Sequence, residues 1–350
     1  MTVLRSFVLV AMLSFIGGAC GGTGGGGGTF EPLLGIQGPQ IWTLGFDKAS
    51  HPVVGGQGGV WRYTEVDGWL RLGTVEQATT IFDLFPADDG GHYVVDGSTL
   101  YKIDLGASTW TTVKTYATSA DATHTQVKLV VGDGTMYGVQ SGGTQVPVYW
   151  PASGTGWIPV PNPPDQFGSN PLISNAAHDV YFFVAGANIT RRDTSNHDSV
   201  FVDCHTKELL QCSLTLYPLR VLADGTLYFF SRQPTAERIY KVPAGGGTPT
   251  LVAALPSGDP PNDYLYADDF SVADNGTAYI TGKRSDDAYS YGSTFRFSGS
   301  TKGTMILASP TDFDAPSSVT TAPDANIRVS PDNTLYSVLS VQGGVARFHH

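Results

Sequence analysis

Three stretches in the last third of the chain combine carboxylates with aromatic rings. Ser257 to Asp269 holds Asp259, Asp263, Tyr264, Tyr266, Asp268 and Asp269. Lys283 to Gly292 holds Arg284, Asp286, Asp287, Tyr289 and Tyr291, and Pro310 to Asp324 holds Asp312, Phe313 and Asp314. Carboxylates attract a cation or a basic peptide, and rings stack on the apolar face of a sugar. The same composition also describes plain solvated loops. Other chemistry has less support. Asp-Gly pairs recur, but no Asp-x-Asp/Asn-x-Asp/Asn-Gly run makes a calcium loop of them, and turn chemistry accounts for their carboxylates. The eight histidines are scattered, with no His-Glu-x-x-His pair. His51, His92, His124 and His178 fall near expected strand ends, where only folding can bring them together. No Gly-x-Ser-x-Gly elbow occurs, and the glycines at 21–28 precede no helix, so they do not form a phosphate loop.

The elements that must position these stretches follow from composition and repetition. The chain has 350 residues with 43 Gly, 22 Pro, 16 Tyr and 17 Phe, and only 15% of it is charged. An average globular chain has roughly a quarter charged residues and about 7% Gly. Such a chain is no coiled coil, and 41% apolar content is ample for a core. The net charge of −11 comes without any Lys/Arg run, which excludes nucleic acid as an expected partner.

One unit is clearest at Leu214 to Leu255. An apolar segment ends in Ala223-Asp224-Gly225, then come Thr226 to Ser231, Arg238 to Val242, a turn at Gly245 to Gly247, and Thr250 to Val252. That is four short strands joined by tight turns, with Asp-Gly where a hairpin needs a positive φ. The second strand recurs at His92-Tyr93, Met136-Tyr137, Val180-Tyr181, Leu227-Tyr228, Ala278-Tyr279 and Leu335-Tyr336. The third recurs around Arg62, Lys102, Trp150, Arg191, Lys241, Arg296 and Arg347, at intervals of about 40 to 55 residues. Two signatures in phase predict an all-β, seven-bladed β-propeller with four-stranded blades. The recurring Arg/Lys of the third strands marks an architectural contact. After Phe348 no fourth strand follows, while Phe30 to Ile36 is apolar and unassigned. This N-terminal piece is therefore expected to close the last blade, which removes an open edge.

The unit at 226–252 resembles the repeats of YWTD-type and NHL-type propellers, which share a Leu-Tyr strand followed by Ile-Tyr-Lys/Arg and a Gly turn. The resemblance implies the fold and brings no catalytic residues. Propellers usually bind through the loops that lead into the inner strand and that join the second strand to the third. The three acidic, aromatic stretches fall at such positions in blades five to seven.

At the N-terminus, Arg5 precedes an apolar run from Phe7 to Ile16, then small residues and Cys20. The run is too short for a spanning helix and reads as a signal peptide. Small residues directly before a Cys resemble the lipobox of bacterial lipoproteins, whose cysteine is lipidated after cleavage; Gly17 stands where that motif usually has Leu. The resemblance implies residues 1–19 as signal peptide and Cys20 as the lipidation site. Residues 20–29 then form a Gly-rich tether and residues 30–350 the propeller. Cys204 and Cys212, eight residues apart, remain as an even pair that suits a disulfide in an oxidising compartment.

The expectation is a monomeric module anchored by lipid in the bacterial cell envelope, on the periplasmic or surface side of the outer membrane. It would bind a protein, peptide or carbohydrate ligand through the acidic, Tyr-rich face, with no cofactor beyond a divalent cation such as calcium. The alternative is a propeller hydrolase or lyase of gluconolactonase-like type, with a divalent metal at the channel mouth. That resemblance implies a ring of Glu, Asn and Asp, and Glu is scarce in the late loops.

Overall fold

The computed structural model describes residues 29–36, 40–73, 81, 83–96, 99–105, 109–115, 124–141, 145–163, 167, 172–184, 188–204, 219–233, 236–254, 265–284, 293–299, 304–307, 327–339 and 344–349. Among these residues there are strands and turns and no helix. Strand β1 (Thr29–Leu34) comes first. Blade one is β2 (Ile41–Phe46), β3 (Pro52–Gly56), β4 (Gly59–Thr64) and β5 (Gly68–Leu72). Blade two is β6 (Leu84–Pro86), β7 (His92–Asp96), β8 (Thr99–Asp104) and β9 (Thr109–Thr115). Blade three is β10 (His124–Val130), β11 (Met136–Ser141), β12 (Gln145–Trp150) and β13 (Ile158–Pro159). Blade four is β14 (Leu172–Ser174), β15 (Val180–Val184), β16 (Asn188–Arg192) and β17 (Asp198–Asp203). Blade five is β18 (Arg220–Val221), β19 (Leu227–Gln233), β20 (Ala236–Val242) and β21 (Thr250–Ala254). Blade six is β22 (Leu265–Val272), β23 (Ala278–Arg284), β24 (Ser293–Phe297) and β25 (Thr304–Leu307). Blade seven is β26 (Ile327–Val329), β27 (Leu335–Leu339) and β28 (Gly344–His349), completed by β1.

The result is a seven-bladed propeller in which every blade is an antiparallel meander and the first strands meet around the centre. Its sequence basis is visible in one turn. The residue two before each second strand has a left-handed backbone in all seven blades. These are Ser50, Gly90, Gly134, His178, Gly225, Gly276 and Asn333, with φ between 65° and 88°. In each, its N–H donates to the carbonyl three residues earlier. Asp89, Asp133, Asp224, Asn275 and Asp332 sit just before that residue, and their side chains accept the N–H two residues on. The Asp-Gly pairs are thus turn devices, as their chemistry predicts.

Between the blades lie apolar clusters. Blades four and five share Tyr181, Ile189, Val202, Leu227 and Phe229, and blades five and six share Tyr228, Phe230, Phe270 and Ile280. Each such side chain contributes about 1.5–3 kcal/mol when fully buried. The seam between blades seven and one is packed the same way, with Leu33, Val338 and Val345 against Leu44, Val54 and Trp61.

The closing strand behaves as its sequence predicts, displaced slightly toward the N-terminus: β1 pairs with β28 from Thr29↔His349 to Leu34↔Gly344. Glu31 fastens it. Its Oε2 accepts from Arg347 Nη2 at 2.6 Å and pairs with His349 Nε2 at 2.7 Å, while Arg347 Nη1 donates to Glu65. Burial pushes the Glu31 carboxyl up, but the bonds from His349 and Arg347 outweigh it and hold it below the usual value.

Two expectations are corrected. Ser257 to Asp269 is not a loop throughout, because Tyr266, Asp268 and Asp269 lie within β22. Likewise Lys283 and Arg284 belong to β23. Apolar alternation resumes before the acidic run has ended, and pairing of Leu265 with Arg284 extends the hairpin through it.

Candidate channel site

The inner strands can be aligned by the residue that ends each one: Phe46, Pro86, Val130, Ser174, Val221, Val272 and Val329. One residue earlier stand Arg220 in blade five, Ser271 in blade six and Arg328 in blade seven. Three residues before the end stand Asp269 in blade six and Asp83 in blade two. The parallel course of neighbouring inner strands turns these register positions into contacts. Ile327 N–H donates to Asp269 Oδ2 at 3.1 Å, and Val329 N–H to Ser271 Oγ at 2.9 Å.

Asp269 is buried and fully engaged. Its Oδ1 accepts from Arg220 Nη2 and from its neighbour Phe270 N–H, both at 2.8 Å. Its Oδ2 accepts from Arg328 Nη1 at 2.8 Å as well as from Ile327. Arg220 spends its other donors on backbone: Nε on Phe270 O and Nη1 on Leu219 O, both at 3.1 Å. Its guanidinium also lies 5.5 Å from the Phe270 ring centre. Desolvation, together with the charge of Arg328, lowers the Arg220 pKa to about 9, with Asp269 opposing. Arg220 therefore stays cationic at neutral pH, and two guanidiniums share one carboxylate. Such a network fixes three blades relative to one another.

Asp83 is different. It is exposed, yet desolvation by the surrounding protein raises its carboxyl pKa, against the charges of Arg328 and Lys128. Lys128 sits at the bulge of β10, between Val127 and Leu129, where the register slips by one residue. At the register position that Arg328 holds in blade seven, blade one has Gly45, where a Cβ would sit 2.8 Å from His92 Nε2 of blade two.

Of the residues singled out from sequence, Tyr266 lies in β22, beside Lys283 in the pairing register. Asp259, Asp263, Tyr264, Asp286, Asp287, Tyr289, Tyr291, Asp312 and Asp314 lie outside the described residues, as do Cys20 and Cys212. The roots of their three stretches do come together. Segment 255–264 leads into Leu265 and segment 285–292 leaves from Arg284, and these two residues pair. Segment 308–326 leads into Ile327, which is bonded to Asp269. Cys204 is fully buried in the cluster between blades four and five.

Arg220, Arg328, Asp83 and Lys128 had no signal in the motif reading, although a faint one exists. Leu219-Arg220-Val221 and Ile327-Arg328-Val329 are apolar-Arg-Val triplets at the same distance before the left-handed turn residue. Of the four histidines, His51, His92 and His178 do not meet at the channel. His92 is buried between blades one and two, where desolvation lowers its pKa to about 4. His51 pairs with Asp47 at 2.9 Å. His178 lies in the turn just past the end of its inner strand, 3.0 Å from Asp88 and 3.8 Å from Asp133. The third-strand cations do make architectural contacts: Lys102 with Asp89, Arg62 with Leu105 O, and Arg347 as above. Among the described residues no group of three or more His, Cys, Asp or Glu is placed to hold a metal ion.

No family model matches the chain. No curated protein matches it either. Solved structures do. Virginiamycin B lyase from Staphylococcus aureus is 9% identical with a TM-score of 0.58, over 93% of this chain and 100% of that one. An oligogalacturonate lyase in complex with manganese is 12% identical with a TM-score of 0.61, over 92% and 95%. The extracellular domain of a protein described as a hybrid two-component system, from B. thetaiotaomicron, is 11% identical with a TM-score of 0.57. That match covers 91% of this chain and 39% of the other. At these identities the likeness is one of fold: the chain is a β-propeller of the architecture that lyases and extracellular sensor domains share.

Proposed function

We propose that the protein is an exported, envelope-anchored propeller that binds a protein, peptide or carbohydrate ligand through the loops of blades five to seven. One observation carries this reading: the roots of the three acidic, aromatic segments come together at Leu265, Arg284 and Ile327. The anchoring follows from the lipobox-like residues before Cys20. A tether over 20–29 runs into β1, the outermost strand of its blade, and so leaves the binding face open. A Cys204–Cys212 disulfide in the linker between blades four and five belongs to the same exported state, and Cys204 is already held in the core beside it.

The test uses the full chain in detergent against immobilised basic peptides and a panel of oligosaccharides, with and without calcium or manganese. The quadruple variant Asp286→Asn, Asp287→Asn, Tyr289→Ser, Tyr291→Ser is expected to lose at least tenfold in affinity. Unchanged binding by that variant overturns the face. Metal-dependent consumption of a bound oligosaccharide would instead support the hydrolase or lyase reading, for which the lyase folds among the similar structures are the supporting observation. Lipidation is tested by fatty-acid labelling, which Cys20→Ala should abolish. The disulfide is tested by alkylation and mass measurement with and without reductant.

A further inference from the structure

Asp269 stands where the β22–β23 hairpin changes register. The pairing slips between Ala267 and Asp269, so Asp268 is the extra residue of a bulge. On one side of it, Asp269 to Val272 continue the inner strand of blade six. On the other, Leu265 to Ala267 pair with Gly282 to Arg284, where segment 255–264 arrives and segment 285–292 departs. Asp269 itself pairs with Thr281, whose hydroxyl donates to Asp269 O at 3.3 Å. The carboxylate then reaches both neighbouring blades close to where other segments enter. Its Oδ2 takes the N–H of Ile327, the first residue after segment 308–326, and Nη1 of Arg328. Its Oδ1 takes Nη2 of Arg220, whose Nη1 donates to O of Leu219, the first residue after segment 205–218. One buried carboxylate is thus tied, directly or through its own hairpin, to the roots of the three acidic, aromatic segments.

We infer that Asp269 is a positioning residue for ligand binding, one that holds the loop roots of blades five to seven in a single relative geometry. The inference rests on the reading that those loops form the binding face. Its chemistry is that of a carboxylate with both oxygens filled by charged and backbone donors, an arrangement with one favoured geometry. An asparagine in its place accepts at one oxygen only, and its amide N–H groups would face donors of the other blade. Either the Arg220 side or the Ile327 and Arg328 side is then released. A ligand that touches loops of more than one blade must afterwards order them itself, and its affinity falls by that cost. A second tie runs beside the first, because Ser271 Oγ accepts from Val329 N–H at 2.9 Å. Ser271→Ala removes this tie and leaves the hydrogen bonds of Asp269 in place.

Two measurements on the full chain test this: amide hydrogen exchange, and affinity for the basic peptides and oligosaccharides that test the face. In Asp269→Asn, exchange at Leu265–Ala267 and Ile327–Val329 should speed up about tenfold relative to β2–β5 of blade one. Affinity should fall about fivefold at a temperature where circular dichroism shows the variant folded. Ser271→Ala should move both readouts the same way by about twofold to threefold. Gly344→Ala, which disturbs the closing strand instead, should keep wild-type affinity. A carboxylate that only stabilised the fold would lower the melting temperature and leave the affinity of the folded protein unchanged. Wild-type affinity in Asp269→Asn, or an equal loss in Gly344→Ala, therefore overturns the inference. If Asp269→Asn fails to fold, Ser271→Ala carries the test, and wild-type exchange and affinity in that variant overturn it. A wild type that binds none of the probes overturns the face, while exchange at the two roots still decides whether Asp269 positions them.

Discussion

Asp269 and Asp83 stand at the same place in their blades, three residues before the inner strand ends, and in opposite surroundings. Asp269 accepts four hydrogen bonds, two from arginines on the neighbouring blades and two from backbone N–H groups. Asp83 feels two cations through space and bonds to neither. Asp269 lies within β22 and pairs with Thr281, whereas Asp83 just precedes β6, and their neighbours differ as well. Blade six has an Arg on each side at the adjoining register position, whereas blade two has Gly45 and Leu129 there. A carboxylate locked between guanidiniums holds blades together. One beside cations it does not touch carries no such tie.

The largest break in this comparison should come from Asp269→Asn. It leaves two guanidiniums in a buried site with one neutral partner, and removing one member of such a network costs about 3–5 kcal/mol. Asp83→Asn should lose nothing at neutral pH. Chemical denaturation of the two variants side by side measures the difference, and equal losses would refute the division.

A change far from the ring gauges how much of the stability lies in closure. Gly344 pairs with Leu34, and a Cβ there would sit 2.1 Å from Leu33 O. Gly344→Ala must push β1 away and is expected to cost about 1–3 kcal/mol. Limited proteolysis should then release the N-terminal strand first.

The comparison sharpens further with pH. The Asp83 pKa is raised on folding, so its contribution runs against stability as pH rises through the interval above its ordinary value of 3.8. Asp83→Asn removes that loss, so its melting temperature should exceed that of the wild type at pH 7 and match it near pH 3. Glu31 has the opposite sign. Its pKa is lowered, and the stability it lends the closing strand is present above 4.5 and lost as the pH falls through its folded value. Glu31→Gln should flatten the acid limb that Asp83→Asn leaves in place.

The smallest effect belongs to the turns. Ser50 holds the left-handed position that four other blades give to Gly. Ser50→Gly relieves that backbone and should stabilise by about 0.5–1 kcal/mol, measurable as a shift in denaturation midpoint.

How much of this was legible beforehand differs by scale. The blades are legible because most repeats carry a turn such as Asp-Gly or Asn-Gly followed by an apolar-Tyr strand, and a hairpin is a local object. Closure was legible because Phe30 to Ile36 was apolar and without a partner. The strand ends of blade six are not legible, since Tyr266 to Asp269 looks like loop until its pairing with Thr281 to Lys283 is known. The ring is barely legible, beyond the apolar-Arg-Val triplets around Arg220 and Arg328. Arg220, Asp269 and Arg328 are 49 and 59 residues apart, and nothing within any one repeat marks them as partners.

The sequence by itself therefore determined the unit, its number and its closing strand, because hydrophobic alternation and turn chemistry act over a few residues. Only the tertiary structure decided which side chains share the channel wall. Parallel inner strands from separate blades meet in a register that no local pattern encodes. That register made a locked carboxylate of Asp269 and left Asp83 without a hydrogen bond among the described residues.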